Sequence, residues 1–229
     1  MFAMLARHLF IAIVAACAIC SPYSTSLSAD GDAVAKFRAE EQLAWDKWRL
    51  QKQKSALYEA NSLTLGATQP KVRIVEFFDY NCPYCRRAQP RLMEFVNKNP
   101  DVQIVLKDVA FLGKNSLAVA RIMLAARKQK NTAELHNALM DQKGLTTETI
   151  ALDIAGILGF DIQRLKKDAE GGDIQAAIEE TQNLAHELRF TSVPIFVAGH
   201  TIISGAPEDL TEMLSSIADD IRKNGCDVC

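Results

Sequence analysis

Val72-Arg73-Ile74-Val75-Glu76-Phe77-Phe78-Asp79-Tyr80-Asn81-Cys82-Pro83-Tyr84-Cys85 is the stretch that decides the fold. Val72–Phe78 is a mostly apolar run rich in β-branched and aromatic residues, the composition of a buried strand. Pro83 fits the first position of a helix, where its missing N–H costs nothing. The pattern predicts a helix from Pro83 to about Asn99. Cys82 is then the cap residue, facing unsatisfied N–H groups and the positive end of the helix dipole. Both favour thiolate over thiol. Cysteines in such settings titrate at roughly 3.5–7.5, against about 8.5 for a free cysteine. Cys82 reads as the exposed nucleophile, and Cys85, one turn inward, as the thiol that resolves a mixed disulfide. The other readings of this pair are a structural disulfide or half of a zinc site. Zinc wants four ligands, usually two such pairs, and His136, His186 and His200 show no ligand spacing to any pair.

Glu76 stands six residues before Cys82 on the apolar run. Buried, it could carry the proton of Cys85; pointing out, it is a strand-edge acid. Lys107, at the end of a second apolar run Val102–Leu106, could pair with Glu76 or be a plain surface lysine. Asn61–Lys71, with Gly66 and Pro70, reads as a loop. Gly113 to about Leu188 is helical in pattern throughout, in five segments: Leu117–Lys130, Thr132–Gln142, Thr146–Leu158, Ile162–Gly171 and Ile174–Leu188. Ile195–Val197 and Thr201–Ile203 then flank Gly199-His200, which suits a type II′ hairpin. Pro207-Glu208-Asp209 opens a last helix whose buried stripe is Leu210, Met213, Leu214, Ile217 and Ile221, and Gly225 stops it. The order is β-α-β, a helical block, a hairpin, then α.

The 229 residues are 48% hydrophobic and 24% charged, which sets aside disordered, collagen-like and coiled-coil readings. The formal net charge of −2 lacks the basic excess of a nucleic-acid binder. The six cysteines fall in three C-x-x-C pairs: Cys17/Cys20, Cys82/Cys85 and Cys226/Cys229. The first pair lies in a segment with a basic start, an apolar run from Leu9 to Ile19 and a small-residue exit. That segment, 1–29, reads as a secretory signal peptide. Val14-Ala15-Ala16-Cys17 is also compatible with a lipoprotein box, which would anchor the chain at Cys17. Export places the remaining cysteines in an oxidising compartment, the periplasm of a bacterial envelope. Asp30–Ala60 reads as a helix with a broken apolar stripe (Val34, Phe37, Trp45, Trp48, Leu57), able to pack on the domain or against a partner chain. Cys226/Cys229 lies beyond the last helix and reads as a tail disulfide; an intermolecular link or an electron relay to Cys82/Cys85 are its alternatives.

Val75–Arg87, Leu106-Lys107-Asp108, Phe111-Leu112-Gly113 and Phe190–Val197 together resemble the thioredoxin superfamily, within it the DsbA-like exported disulfide oxidoreductases, and most of all the ScsC/Com1-like group. The resemblance covers about Leu65 to Ile221. It implies an α/β thioredoxin fold with an inserted all-helical domain and an N-terminal helical extension. The corresponding organisation is 1–29 signal peptide, 30–64 helical extension, 65–112 first half of the thioredoxin fold, 113–189 inserted helical domain, 190–225 second half, and 226–229 tail. It implies that Cys82 and Cys85 form a redox-active disulfide, that Pro194 is cis and lies against Cys82, and that Glu76 is the family's buried acid. Pro83, Tyr84 and Val193 would face the substrate. The resemblance implies a reaction with no cofactor and no metal. The implied partners are unfolded or misoxidised exported proteins and a membrane redox partner that recycles the pair. A homo-oligomer through the N-terminal helix is the further implication. Three activities stay open: an oxidase, an isomerase or reductase, and a copper(I)-binding protein using the same soft thiols. Three departures from the group weaken the isomerase implication: Pro83 where relatives carry Gly, an N-terminal helical segment shorter than the oligomerising arms of trimeric relatives, and Ser192-Val193-Pro194 where relatives often carry Gly-Thr-Pro, which is closer to the dedicated oxidases.

Overall fold

The computed structural model describes residues 26–59 and 62–229, with side chains from residue 31 onward. In chain order the elements are α1 (Ser26–Lys52), α2 (Lys54–Leu57), β1 (Leu63–Gly66), β2 (Val72–Phe78), α3 (Pro83–Lys98), β3 (Val102–Asp108), α4 (Lys114–Ala126), α5 (Thr132–Met140), α6 (Glu148–Ile157), α7 (Ile162–Ala169), α8 (Gly172–Glu187), β4 (Ile195–Ala198), β5 (Thr201–Ser204) and α9 (Leu210–Asn224). The apolar run Leu9–Ile19, Cys17 and Cys20 lie outside the described residues, and with them the signal-peptide and lipoprotein readings. Among the described residues no helix is long and apolar enough to cross a membrane.

β2 is the central strand because its sequence is apolar on both faces. It pairs in parallel with β3 and antiparallel with β4, in the sheet order β1-β3-β2-β4-β5. The parallel pair needs a crossover, and α3 supplies it. The remaining two strands arrive as the expected hairpin, with Gly199 at φ +58°, the sign the first central residue of a II′ turn requires. One face of the sheet, through Ile74, Phe78 and Ile104, packs on Leu92 and Phe95 of α3 and on Leu210, Leu214 and Ile221 of α9. The same apolar cluster runs on into α4–α7. The other face, through Val75, Phe77 and Val105, packs on Leu184 of α8, on Leu188 just beyond it, and on Leu50, Leu57 and Tyr58. Each fully buried aliphatic or phenylalanine side chain among these stabilises the fold by about 1.5–3 kcal/mol. The result is a βαβ unit and a ββα unit separated by a helical block, the arrangement the resemblance implies.

The chain forms two units, Met1–Trp45 and Asp46–Cys229. In the first, the described residues are helical, and Val34, Phe37, Leu43 and Trp45 are exposed. The second holds the sheet and every other helix.

Three elements differ from the sequence expectations. Leu63–Gly66 is a strand, not part of a loop; it adds to β3 at the sheet edge and buries only Leu65, so it carries no apolar period. Gly66 is required there: it sits at φ +87°, and a Cβ would come within 2.4 Å of the Val102 carbonyl oxygen. The helix expected over Asp30–Ala60 ends at Lys52, and α2 follows as a separate turn. Pro207 opens a turn, closed by Leu210 N–H on the Pro207 carbonyl, and the helix begins only at Leu210.

Candidate active site

The fold delivers Cys82 to one end of the sheet. β2 ends at Phe78, Asp79 turns the chain (Cys82 N–H to Asp79 O, 3.0 Å), and α3 starts at Pro83. Cys82 is the N-cap: its extended backbone leaves Sγ facing the first turn, where it accepts from the Cys85 N–H at 3.4 Å. Hydrogen bonds from Cys85, from its thiol above all, together with the Tyr84 N–H, lower the Cys82 thiol to about 6, against an opposing push from burial and the Asp79 carboxylate. Cys85 is fully buried, and burial drives its thiol far above the usual range. One pair of thiols therefore holds one ready thiolate and one reluctant thiol. Both are free thiols, and the expectation of an exposed Cys82 is corrected: it is buried too, between the first turn of α3 and the Val193 carbonyl.

The second wall is the loop before β4. The Val193–Pro194 peptide bond is cis, the form the resemblance implies, and the Cys82 thiol donates to the Val193 carbonyl at 3.4 Å. Pro194 is buried and Val193 half-buried, while Pro83 and Tyr84 are exposed on the outer face of the helix start. The Tyr84 ring carries the Arg87 guanidinium at 4.7 Å.

Glu76 is the buried acid, not the solvent-facing one: it is 0% exposed on the central strand, and neither carboxylate oxygen has a hydrogen-bond partner. Burial first, and the Cys82 charge second, raise it to about 8, so it is mostly protonated at neutral pH. It in turn helps hold Cys85 protonated. The pairing of Lys107 with Glu76 is corrected. In the parallel register Glu76 stands beside Leu106, and Lys107 stands beside Phe77, on the opposite face of the sheet. Lys107 is buried and reaches Glu59 at 3.5 Å.

Several residues that sequence reasoning passed over fix this arrangement. Buried Asp79 accepts from Asn81 N–H (2.7 Å), Ser116 hydroxyl (2.7 Å) and Leu112 N–H (2.9 Å). Asn81 bonds both backbone groups of Thr146, and Arg86 donates to the Thr146 hydroxyl at 2.8 Å and to the Gly144 carbonyl. These bonds tie the lead-in to the cysteines onto the α5–α6 connection of the helical block. Behind them, Tyr80 hydroxyl and His136 Nδ1 lie 2.9 Å apart, with Gln89 Nε2 at 3.3 Å from His136 Nε2. Burial alone lowers His136 to about 3, so it is neutral. Asp108 sits near Asp79 and is raised well above the ordinary carboxylate range by burial and that neighbour. A polar tract directly before a capping cysteine was the signal available for Asp79 and Asn81. His136 and Thr146 carried none, since their partners Tyr80 and Asn81 are 56 and 65 residues away.

The third cysteine pair is elsewhere. Cys226–Cys229 is a disulfide, and a Cβ built on Gly199 would touch Cys226 Sγ at 4.0 Å. That is the Ala198–Gly199 end of β4, whereas Cys82 meets the Pro194 end. Asp227 within the tail bonds His200, and its carbonyl accepts from Lys54 at 2.9 Å. Among the described residues no three metal-binding side chains come together.

The geometry can carry thiol–disulfide exchange, and the chain is similar to known proteins of that chemistry. The family model for DSBA-like thioredoxin domains matches residues 73–215. The chain is similar to a Bacillus cereus protein called probable disulfide bond formation protein D, 28% identical over 174 residues covering 70% of this chain and 79% of that protein. It is similar to the crystal structure of a thioredoxin-like oxidoreductase from Silicibacter pomeroyi, 37% identical with a TM-score of 0.70, covering 74% of this chain and 97% of that one. The catalytic domain of Proteus mirabilis ScsC superposes with a TM-score of 0.68 at 27% identity, covering 78% of this chain and 99% of that one.

Proposed function

The chain belongs to the family of DSBA-like thioredoxin domains and is a protein thiol-disulfide oxidoreductase; from that premise we propose that it oxidises dithiols of exported proteins through Cys82 and Cys85. The observation that carries this reading is the opposite treatment of the two thiols. Stabilising the Cys82 thiolate stabilises the reduced form, which makes the disulfide form an electron acceptor. A substrate thiolate attacks Cys82 Sγ, the Cys82–Cys85 bond breaks, and Cys85 leaves with the electron pair. Glu76, protonated at neutral pH, is placed in the role of supplying the proton Cys85 then takes. The second substrate thiolate attacks the substrate sulfur of the mixed disulfide, and Cys82 leaves as a thiolate, the better leaving group because its pKa is low.

Pro194, Val193, Pro83 and Tyr84 are the residues that meet the substrate in this reading. The substrate lies against Val193 as an added strand. A membrane redox partner re-forms the Cys82–Cys85 disulfide. Action in the periplasm is supported by the signal-type segment 1–29 and by the Cys226–Cys229 disulfide, which an oxidising compartment preserves.

The test is the reduction potential, from equilibrium with glutathione buffers. The oxidase reading expects a value toward the strongly oxidising end, about −120 mV, and a value of about −200 mV or below would overturn it. A second reading, an oligomeric isomerase, is favoured by one observation: Val34, Phe37, Leu43 and Trp45 on α1 are exposed. A multimeric mass in solution, together with recovery of a substrate with scrambled disulfides, would support it; a monomer inactive on scrambled disulfides would remove it.

A further inference from the structure

Beside Pro83 a groove of about 660 Å³, whose lining does not include Val193, opens between the start of α3 and the α5–α6 connection. Its floor is buried Met140 and its apolar walls are Pro83 and Leu145, the latter 57% exposed. Its rim carries three cations, Arg86, Arg87 and Lys143, against one acid, Asp141. Arg86 is held in place by Gly144 and Thr146, and Arg87 lies over Tyr84. Among the described residues neither Arg87 nor Lys143 has a carboxylate within ion-pair distance. This local excess of positive charge is set in a chain whose formal net charge is −2.

We propose that this groove binds the segment of a substrate polypeptide flanking its reactive cysteine, and selects substrates with acidic and apolar residues there. The inference rests on the exchange chemistry assigned to Cys82. A polypeptide joined to Cys82 Sγ has one flank along the Val193 edge. Its other flank leaves across Pro83, which is a wall of the groove. Leu145 and Met140 take an apolar side chain, and Arg87 and Lys143 take a carboxylate. The field of the whole chain works the other way: a net negative protein attracts basic peptides. The two sources of selectivity therefore predict opposite preferences, which makes the groove separable from bulk electrostatics.

The experiment compares two reduced peptides, each with one central cysteine flanked on both sides by Glu-Leu in one and Lys-Leu in the other. Each is reacted at low salt with the Cys82–Cys85 disulfide form of the unaltered chain and of an Arg87→Glu/Lys143→Glu variant, and dithiothreitol serves as an uncharged reference thiol. The ratio of peptide rates is read within each protein, so a general change in thiol reactivity cancels. We expect the unaltered chain to favour the acidic peptide about tenfold, with the preference shrinking in high salt and reversing in the double variant. A ratio near one, a preference for the basic peptide in the unaltered chain, or an acidic preference that survives the double substitution would overturn the groove assignment while dithiothreitol still exchanges. If dithiothreitol fails to reduce the unaltered chain as well, the exchange reading itself is overturned, and the groove proposal with it.

Discussion

Asn81 clasps the backbone of Thr146: its side-chain oxygen accepts from the Thr146 N–H at 2.7 Å, and its amide donates to the Thr146 carbonyl at 3.0 Å. The residue directly before the nucleophile candidate is thus fastened to a loop 65 residues away. Thr146 is fully buried, so its backbone groups have no water to fall back on. Asn81→Ala leaves both unpaired, and each buried orphan costs about 1–3 kcal/mol. We expect urea denaturation to show a loss of about 2 kcal/mol or more for Asn81→Ala. An unchanged midpoint would mean that the clasp contributes nothing to holding the helical block on the sheet.

His136 makes a prediction with a pH signature. Its folded value near 3 lies below the 6.5 of an unperturbed imidazole. Between those values the unfolded chain binds a proton that the folded chain refuses. His136 therefore removes stability as pH falls from about 6.5 toward 3. His136→Phe keeps a ring of similar size and abolishes that titration. At neutral pH the variant loses about 1–3 kcal/mol, because the buried Tyr80 hydroxyl and Gln89 amide lose a partner. Urea melts of both proteins at pH 4.5 and 7 check it: the deficit of the variant narrows at the lower pH. A deficit independent of pH would contradict a buried neutral imidazole.

Glu76 acts in the opposite sense. Its folded value near 8 lies above the unfolded 4.5, so the folded chain keeps a proton the unfolded chain has lost. Its contribution is most favourable below about 4.5 and is lost as pH rises through 8. Glu76→Gln imitates the protonated acid at every pH. The variant should match the parent near pH 4.5 and exceed its stability by roughly 2–4 kcal/mol near pH 8.5. Its resolving step should be slower, since Cys85 loses a proton donor. A Glu76→Gln protein no more stable than the parent at pH 8.5 would show that water or a partner reaches the carboxylate.

The Cys226–Cys229 pair closes a ring only three residues apart in sequence. In the chain-entropy account so small a loop stabilises by about 2 kcal/mol. It lies at the Ala198–Gly199 end of β4, while Cys82 contacts the Val193–Pro194 end, so direct relay between the pairs is geometrically unfavourable. Cys226→Ser/Cys229→Ser is expected to cost about 1–2 kcal/mol in thermal or urea melts. Its exchange rates through Cys82 should stay those of the parent; loss of turnover would restore the relay.

What was legible in the sequence was what is local. The capping of Cys82, the Pro83 start and the shielding of Cys85 one turn on all follow from residues within a single turn. The five helical segments of the block follow from their apolar spacing. The cis bond at Pro194 rested on resemblance, because a proline before a strand is usually trans. What was not legible depends on long-range register or on very short elements. Strand alternation alone shows that Glu76 and Lys107 have a side, but only the pairing of Glu76 with Leu106 shows that those sides differ. β1 hides because four edge residues with one buried leucine have no period to read. His136 and Thr146 enter the site by folding, not by spacing.

The opposed titrations of Cys82 and Cys85 fix how the reduction potential must vary with pH. Reducing the disulfide takes two electrons, and each proton taken up with them contributes about 30 mV per pH unit. Below about pH 6 both thiols of the reduced protein are protonated, and the potential falls by about 59 mV per pH unit. Above it Cys82 is a thiolate while burial keeps Cys85 protonated, so one proton remains and the slope halves. The break also follows the absorbance of the Cys82 thiolate, which should rise through the same pH and vanish in Cys82→Ser. Potentials measured in glutathione or dithiothreitol buffers from pH 5 to 8 should therefore show two lines meeting near 6. A single straight line across that range would mean that the capping geometry does not stabilise the Cys82 thiolate, and the oxidase reading would lose its physical basis.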